Sequence, residues 1–147
     1  MSGFIRKTIQ TLNSSNFDET IIANQHKLTL KNIDMLWKKF FPPCMQHLNK
    51  RLKDVNHLKH EGRRQLWLFF KGCGMDVNEN STYFQKHFAS KVSNSDLKSH
   101  IYNIQHAYGL VGKKQPERPK NCRNIITGPA PKKDEYHGCP FAHWRKE

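Results

Sequence analysis

The segment Leu66-Trp67-Leu68-Phe69-Phe70 is apolar on every side. A helix with no polar face has nothing to offer water, so it must form the centre around which other elements pack. Lys71 and Gly72 then supply a basic last turn and a glycine C-cap. No run approaches the roughly twenty apolar residues of a membrane span, so protein has to provide the cover. The flanking sequence supplies it. Leu30, Ile33, Leu36, Trp37 and Phe40 share one helical stripe over about 30–40, and Pro42-Pro43 ends it because proline excludes its predecessor from the α region. Pro43 suits the first turn of a second helix, whose Met45, Leu48 and Leu52 repeat at helical spacing up to Asp54-Val55-Asn56. Asp76 caps a fourth helix over 77–89, with Val77, Tyr83, Phe84 and Phe88 inward. Ser95 or a neighbour caps a fifth, with Leu97, Ile101, Ile104 and Tyr108 inward and Gly109 at its end. Residues 110–135 place Pro116, Pro119, Pro129 and Pro131 among lysines, which reads as irregular chain with one short extended piece at Asn124–Thr127. The expected fold is mainly α, a helical lobe followed by a loop-rich C-terminal lobe. Residues 1–27 read as a leader or linker and 28–147 as one domain.

Charge narrows the partner. Lys and Arg number 25 against 12 Asp and Glu, for a formal net charge of +13. With the basic residues interleaved with aromatics, this favours a polyanion such as DNA, RNA or a nucleotide phosphate over a merely basic surface. The N-terminal stretch has no apolar signal region, which points to the cytosol or nucleus and to no membrane. In such a reducing compartment the four cysteines are thiols or metal ligands in preference to disulfides. Cys44, Cys122 and Cys139 are separated by 78 and 17 residues, which matches no short zinc signature. From spacing alone, two readings stay open: a mixed site that adds His137 and His143 and suits zinc as well as iron, or three buried structural thiols. Cys44 sits at a helix N-terminus, where the dipole favours a thiolate.

The head of the third helix is electrostatically misplaced. Arg63 and Arg64 lie in its first turn with Lys59 and His60 just ahead, at the end that is already positive. The dipole disfavours cations there by about 0.3–1 kcal/mol per charge, unless an external anion occupies the site. Tyr102 and His106 lie one turn apart on the outer side of the fifth helix. Asp18, Asp34, Asp54, Asp76, Asp96 and Asp134 are scattered, with no short acidic motif for two-metal nucleotidyl transfer. The chain reads as non-catalytic.

Four ordered blocks carry a resemblance: Phe41-Pro42-Pro43-Cys44-Met45; His57-Leu58-Lys59-His60-Glu61-Gly62-Arg63 leading to Phe70-Lys71-Gly72; Tyr102-Asn103-Ile104-Gln105-His106 with Gly109; and Tyr136-His137-Gly138-Cys139-Pro140-Phe141. Together they resemble successive signatures of the C-terminal iron–sulfur domain of the archaeal and eukaryotic DNA primase large subunit, over about 30–147.

The resemblance implies a 4Fe-4S cluster with Cys44, Cys122 and Cys139 as its first three ligands, the fourth being expected from a segment after Glu147. Cys73 is the remaining candidate, but it stands where the family has an apolar core residue and reads as a packed thiol. The resemblance also implies a grip on the junction of DNA template and RNA primer, including the primer's 5′-triphosphate. Lys59, His60, Arg63 and Lys71 match phosphate-contacting positions, and Tyr102 and His106 match a stacking surface. Leu66 and His100 stand where the family often has tyrosines, which implies lost hydroxyl donors. The implied partners are the primase catalytic subunit and the DNA polymerase alpha complex, in the nucleus of a eukaryote. The alternatives are a shortened paralogue or fragment that binds nucleic acid without a complete cluster, and a zinc-bound nucleic-acid module.

Overall fold

A computed structural model describes residues 27–144; the leader reading of 1–27 falls, except for Lys27, outside the described residues, as do 145–147. Six helices occur among the described residues: α1 (Ile33–Phe40), α2 (Pro43–Val55), α3 (His60–Gly72), α4 (Val77–Phe88), α5 (Asn94–Ala107) and α6 (Cys122–Thr127). The mainly α expectation holds. No described helix is long and apolar enough to cross a membrane.

Local chemistry sets most boundaries. Pro42 and Pro43 separate α1 from α2, and α2 stops at Asn56, which adopts the left-handed conformation at φ 55°. Asp76 caps α4 by accepting the Asn78 N–H at 2.9 Å. The cap of α5 is Ser93, whose hydroxyl accepts the Asp96 N–H at 3.2 Å.

The α3 helix is the hub, packing against α2 and α4, while α5 packs on α4 and α1 on α2. Leu66, Trp67, Leu68, Phe69 and Phe70 are all buried. Phe70 meets Tyr83 edge-on at 5.3 Å and Phe84 at 5.7 Å. Each such side chain contributes about 1.5–3 kcal/mol relative to an exposed one. Close approach of α3 to α2 depends on Gly62, where a Cβ would stand 3.2 Å from Leu48 Cδ2. One polar pair is sealed between α2 and α4, where the Tyr83 hydroxyl donates to Asn49 Oδ1 at 2.6 Å.

Three expectations are corrected. Gly72 is not the C-cap of α3 but its last helical residue; Cys73 caps the helix, and Gly74, at φ +84°, takes the left-handed turn that lets the chain leave it. Asn124–Thr127 is not extended but belongs to α6. Asn121 Oδ1 accepts the Asn124 N–H at 2.8 Å and starts a helix that buries Ile125. Capping and one apolar anchor override the weak strand propensity. On α5, Ile104 and Ala107 carry the burial while Leu97 and Ile101 are only half-buried. Its N-terminal half is less deeply packed, and Asp96 there lies within electrostatic reach of Arg63.

Candidate functional site

The Cys44 thiol lies within electrostatic reach of Cys122 and Cys139. Cys44 lies in the first turn of α2 and is buried. Cys122 opens α6 and is exposed, while Cys139 is half-buried in the loop that follows. Burial, together with the nearby Cys122 and Cys139, pushes the Cys44 thiol up to about 11. Burial therefore outweighs the helix-dipole effect expected at this position. Yet no group of three His, Cys, Asp or Glu side chains among the described residues is close enough to hold a single metal ion. Cys73 is completely buried in the core and lies within electrostatic reach of Tyr108.

The C-terminal loop is fastened by α3 and α2. Gln65, only 2% exposed, uses both ends of its amide on one residue. It accepts the Gly138 N–H at 2.9 Å and donates to the Gly138 carbonyl at 3.3 Å. Gly138 itself needs φ +98°, and a Cβ there would stand 2.5 Å from His143 Nδ1. Tyr136 stacks on Trp144 at 5.7 Å and carries the Arg51 guanidinium over its face at 4.3 Å. Pro140 lines the same groove as Pro43, Gln46 and His47. These contacts bring Cys139 beside the start of α2. The two histidines of the zinc reading each have a ring nitrogen engaged. His137 Nε2 donates to the Pro129 carbonyl at 2.8 Å, and His143 Nδ1 accepts the Cys139 N–H at 2.9 Å. His137 Nδ1 faces Glu135 Oε2 at 3.5 Å, outside hydrogen-bond geometry.

The cations form two groups. At the head of α3, Lys59 and His60 are exposed, and the Lys59 side chain makes no capping bond to the first turn. Lys59 Nζ donates to the Lys133 carbonyl at 3.3 Å. Arg63 is half-buried instead, with Nη1 donating to the Leu58 carbonyl at 2.8 Å and Nε buried without a partner. Burial lowers its pKa, partly offset by Asp96. His100 meets Phe88 edge-on at 5.4 Å, and burial with the Arg63 charge lowers it to about 4, so it is neutral at physiological pH. Leu66, read as a lost surface hydroxyl, is 0% exposed and belongs to the core.

The second group gathers at the other end of α3. Lys71 sits 5.8 Å above the Tyr108 ring, and its Nζ donates to the Glu117 carbonyl. The Glu117 side chain pairs with Arg64 Nη2 at 2.6 Å and His106 Nδ1 at 3.4 Å. Tyr102, 49% exposed, brings its hydroxyl within 3.7 Å of a Cβ placed on Gly112, which His106 also approaches. Lys71 thus joins Tyr102 and His106 and stands eight residues, about 12 Å of helix rise, from Arg63. Sequence reasoning missed Glu117 as the organiser and Arg64 as its main partner. The available signal was one carboxylate within the otherwise basic Lys113–Lys120 stretch.

Comparison with known proteins adds to this geometry. Residues 34–147 match the family described as the C-terminal domain of the large subunit of eukaryotic and archaeal DNA primase. A DNA primase large subunit of Homo sapiens is 38% identical over 128 residues, covering 86% of this chain and 25% of that protein. A probable DNA primase large subunit of Arabidopsis thaliana is 40% identical over 121 residues, covering 82% and 26%. Another probable one, from Neurospora crassa, is 33% identical over 149 residues, covering 97% and 29%. The chain thus spans about a quarter of the length of the curated relatives it matches.

Proposed function

The chain belongs to the family formed by the C-terminal domain of the eukaryotic and archaeal DNA primase large subunit, and on that premise we propose that it is a non-catalytic holder of the template–primer junction in RNA primer synthesis. The observation that carries this reading is the head of α3, where exposed Lys59 and His60 flank a helix N-terminus left uncapped by Lys59. Unsatisfied N–H groups, a positive dipole end and exposed cations suit a 5′-triphosphate. Arg63 supplies charge from below and braces the Leu58 turn. Tyr102 offers an exposed ring for stacking, and Lys71 and His106 offer phosphate contacts two turns away. Four aspartates have partners of their own: Asp34 pairs with Lys53, Asp54 with Lys50, Asp76 caps α4, and Asp96 accepts from Ser93. On this reading nucleotidyl transfer falls to the primase catalytic subunit, and membership of the family further implies the DNA polymerase alpha complex and the nucleus.

The cofactor reading is a 4Fe-4S cluster held by Cys44, Cys122 and Cys139, with a fourth ligand from elsewhere. Such a cluster would pin the C-terminal loop to α2. The Cys44 thiol lies within electrostatic reach of both Cys122 and Cys139, which suits three ligands of one cluster.

The test compares RNA–DNA junctions bearing a 5′-triphosphate or a 5′-hydroxyl by fluorescence anisotropy across a salt series. His60→Ala and Lys59→Ala should each weaken binding of the triphosphate junction by about tenfold or more, the scale of one bond to a charged group, while the hydroxyl junction changes little. Equal losses for both ends would sink the triphosphate site. Binding indifferent to salt would sink the nucleic-acid reading, since each neutralised phosphate contributes a slope of roughly 0.7–0.9.

A further inference from the structure

We propose that Arg64, Lys71 and His106 form a phosphate subsite whose seat is held in the free protein by Glu117, a built-in carboxylate competitor that nucleic acid must displace; this rests on the nucleic-acid reading above.

The geometry is that of an occupied anion site. Arg64 and Lys71 are seven residues apart on α3, two helical turns, and share one face. His106 faces them from α5, and the Glu117 carboxylate bridges the gap, one oxygen on Arg64 Nη2 at 2.6 Å and the other near His106 Nδ1 at 3.4 Å. A phosphate presents the same pair of oxygens to a guanidinium and an imidazole. Residues 116–119, which cross α3 as a strap, are held independently of that carboxylate. The Glu117 N–H donates to the Ala107 carbonyl at 2.9 Å, Lys71 holds the Glu117 carbonyl, and Pro119 packs on Gly72. The side chain can therefore leave while the backbone stays.

Exposure makes the exchange cheap. The Arg64 and His106 side chains are 38% and 41% exposed and Glu117 is 27% exposed, so a ligand can reach all three. Ion pairs this open to solvent contribute little, and a strand that brings several phosphates outbids one carboxylate. Burial raises the Glu117 pKa, but the Arg64 hydrogen bond and charge and the His106 contact outweigh it, so the group is ionised at neutral pH. At neutral pH the competitor is charged, and it discriminates against isolated small anions in favour of an extended phosphate chain. Tyr102 beside the seat supplies a ring for the adjoining base.

The experiment measures binding of a single-stranded oligonucleotide and of the junction by anisotropy over a salt series. It uses the whole chain as wild type, Glu117→Gln, Arg64→Ala and the double variant. Glu117→Gln should bind about fivefold or more tightly at low salt, with the salt slope steeper by roughly one, as one more phosphate is neutralised. The gain should vanish when Glu117→Gln is made in the Arg64→Ala background. Asp54→Asn makes the same charge change at an exposed site on α2 and should shift affinity less than twofold. Unchanged or weaker binding by Glu117→Gln, a gain that survives loss of Arg64, or an equal gain from Asp54→Asn would each overturn the inference while leaving nucleic-acid binding intact. If neither wild type nor Glu117→Gln shows salt-dependent binding, the underlying reading fails as well.

Discussion

Replacing Gln65 by Leu should unfasten the C-terminal loop while leaving the helical lobe folded. The substitution keeps the side-chain volume close to native, so the cavity contribution is small and the loss is polar. Gly138, buried beneath Gln65, would keep an N–H and a carbonyl with no partner where it now has bonds of 2.9 Å and 3.3 Å. An orphaned buried group costs about 1–3 kcal/mol. The longer bond counts for less, so the pair comes to about 2–4 kcal/mol. For a chain of this size that is a fall in melting temperature of about 6–12 °C. Calorimetry should show it alongside faster labelling of the Cys139 thiol by a disulfide reagent, because Cys139 adjoins Gly138. Cys73, inside the helical core, should label no faster. A loss below about 1 kcal/mol, or melting without selective Cys139 exposure, would refute the reasoning and assign the fastening to Tyr136, Trp144 and Arg51.

Stability should fall with acid. Burial, with cations nearby, lowers the pKa of His47, His57 and His87, and takes His100 to about 4. The unfolded chain therefore binds more protons than the native one between about 6.5 and 4, and the urea midpoint should drop steadily through that window; a midpoint that rises would contradict these environments. Tyr83→Phe leaves Asn49 Oδ1 buried without its donor and should cost about 1–3 kcal/mol by chemical denaturation; a neutral outcome would mean that water replaces the hydroxyl. Gly72→Ala puts a Cβ 2.5 Å from Pro119 Cγ. It should lower stability by about 1–3 kcal/mol through overpacking, and unaltered melting would show that the strap shifts freely. Arg63→Ala should destabilise modestly, not stabilise as its place at a helix N-terminus suggests, because it gives up the bond to the Leu58 carbonyl; a raised melting temperature would restore the simple dipole argument.

What the sequence determined by itself was everything dictated by local periodicity and chain-breaking chemistry. The five larger helices follow from apolar stripes at a 3.6 period and from Pro42-Pro43 and Asp76, because a stripe can be buried only one way and proline and cap act within a few residues; the glycine stop of α3 was legible too, but it falls at Gly74 and not at Gly72. The primase-like blocks were equally legible, since they are short runs of side chains. Tertiary structure decided what depends on residues far apart in the chain. Arg63 turned inward because the Leu58 carbonyl lies within its reach, and Leu66 fell into the core because α2 and α4 close over it. Asn124–Thr127 became helix through the Asn121 cap and the burial of Ile125. The Glu117 seat exists because a strap 53 residues beyond Arg64 crosses the same face of α3. A lone carboxylate in a basic stretch marks Glu117 as unusual, but nothing local in Pro116-Glu117-Arg118 names its partners, since the carboxylate is organised by charge and proximity after folding and not by any backbone preference.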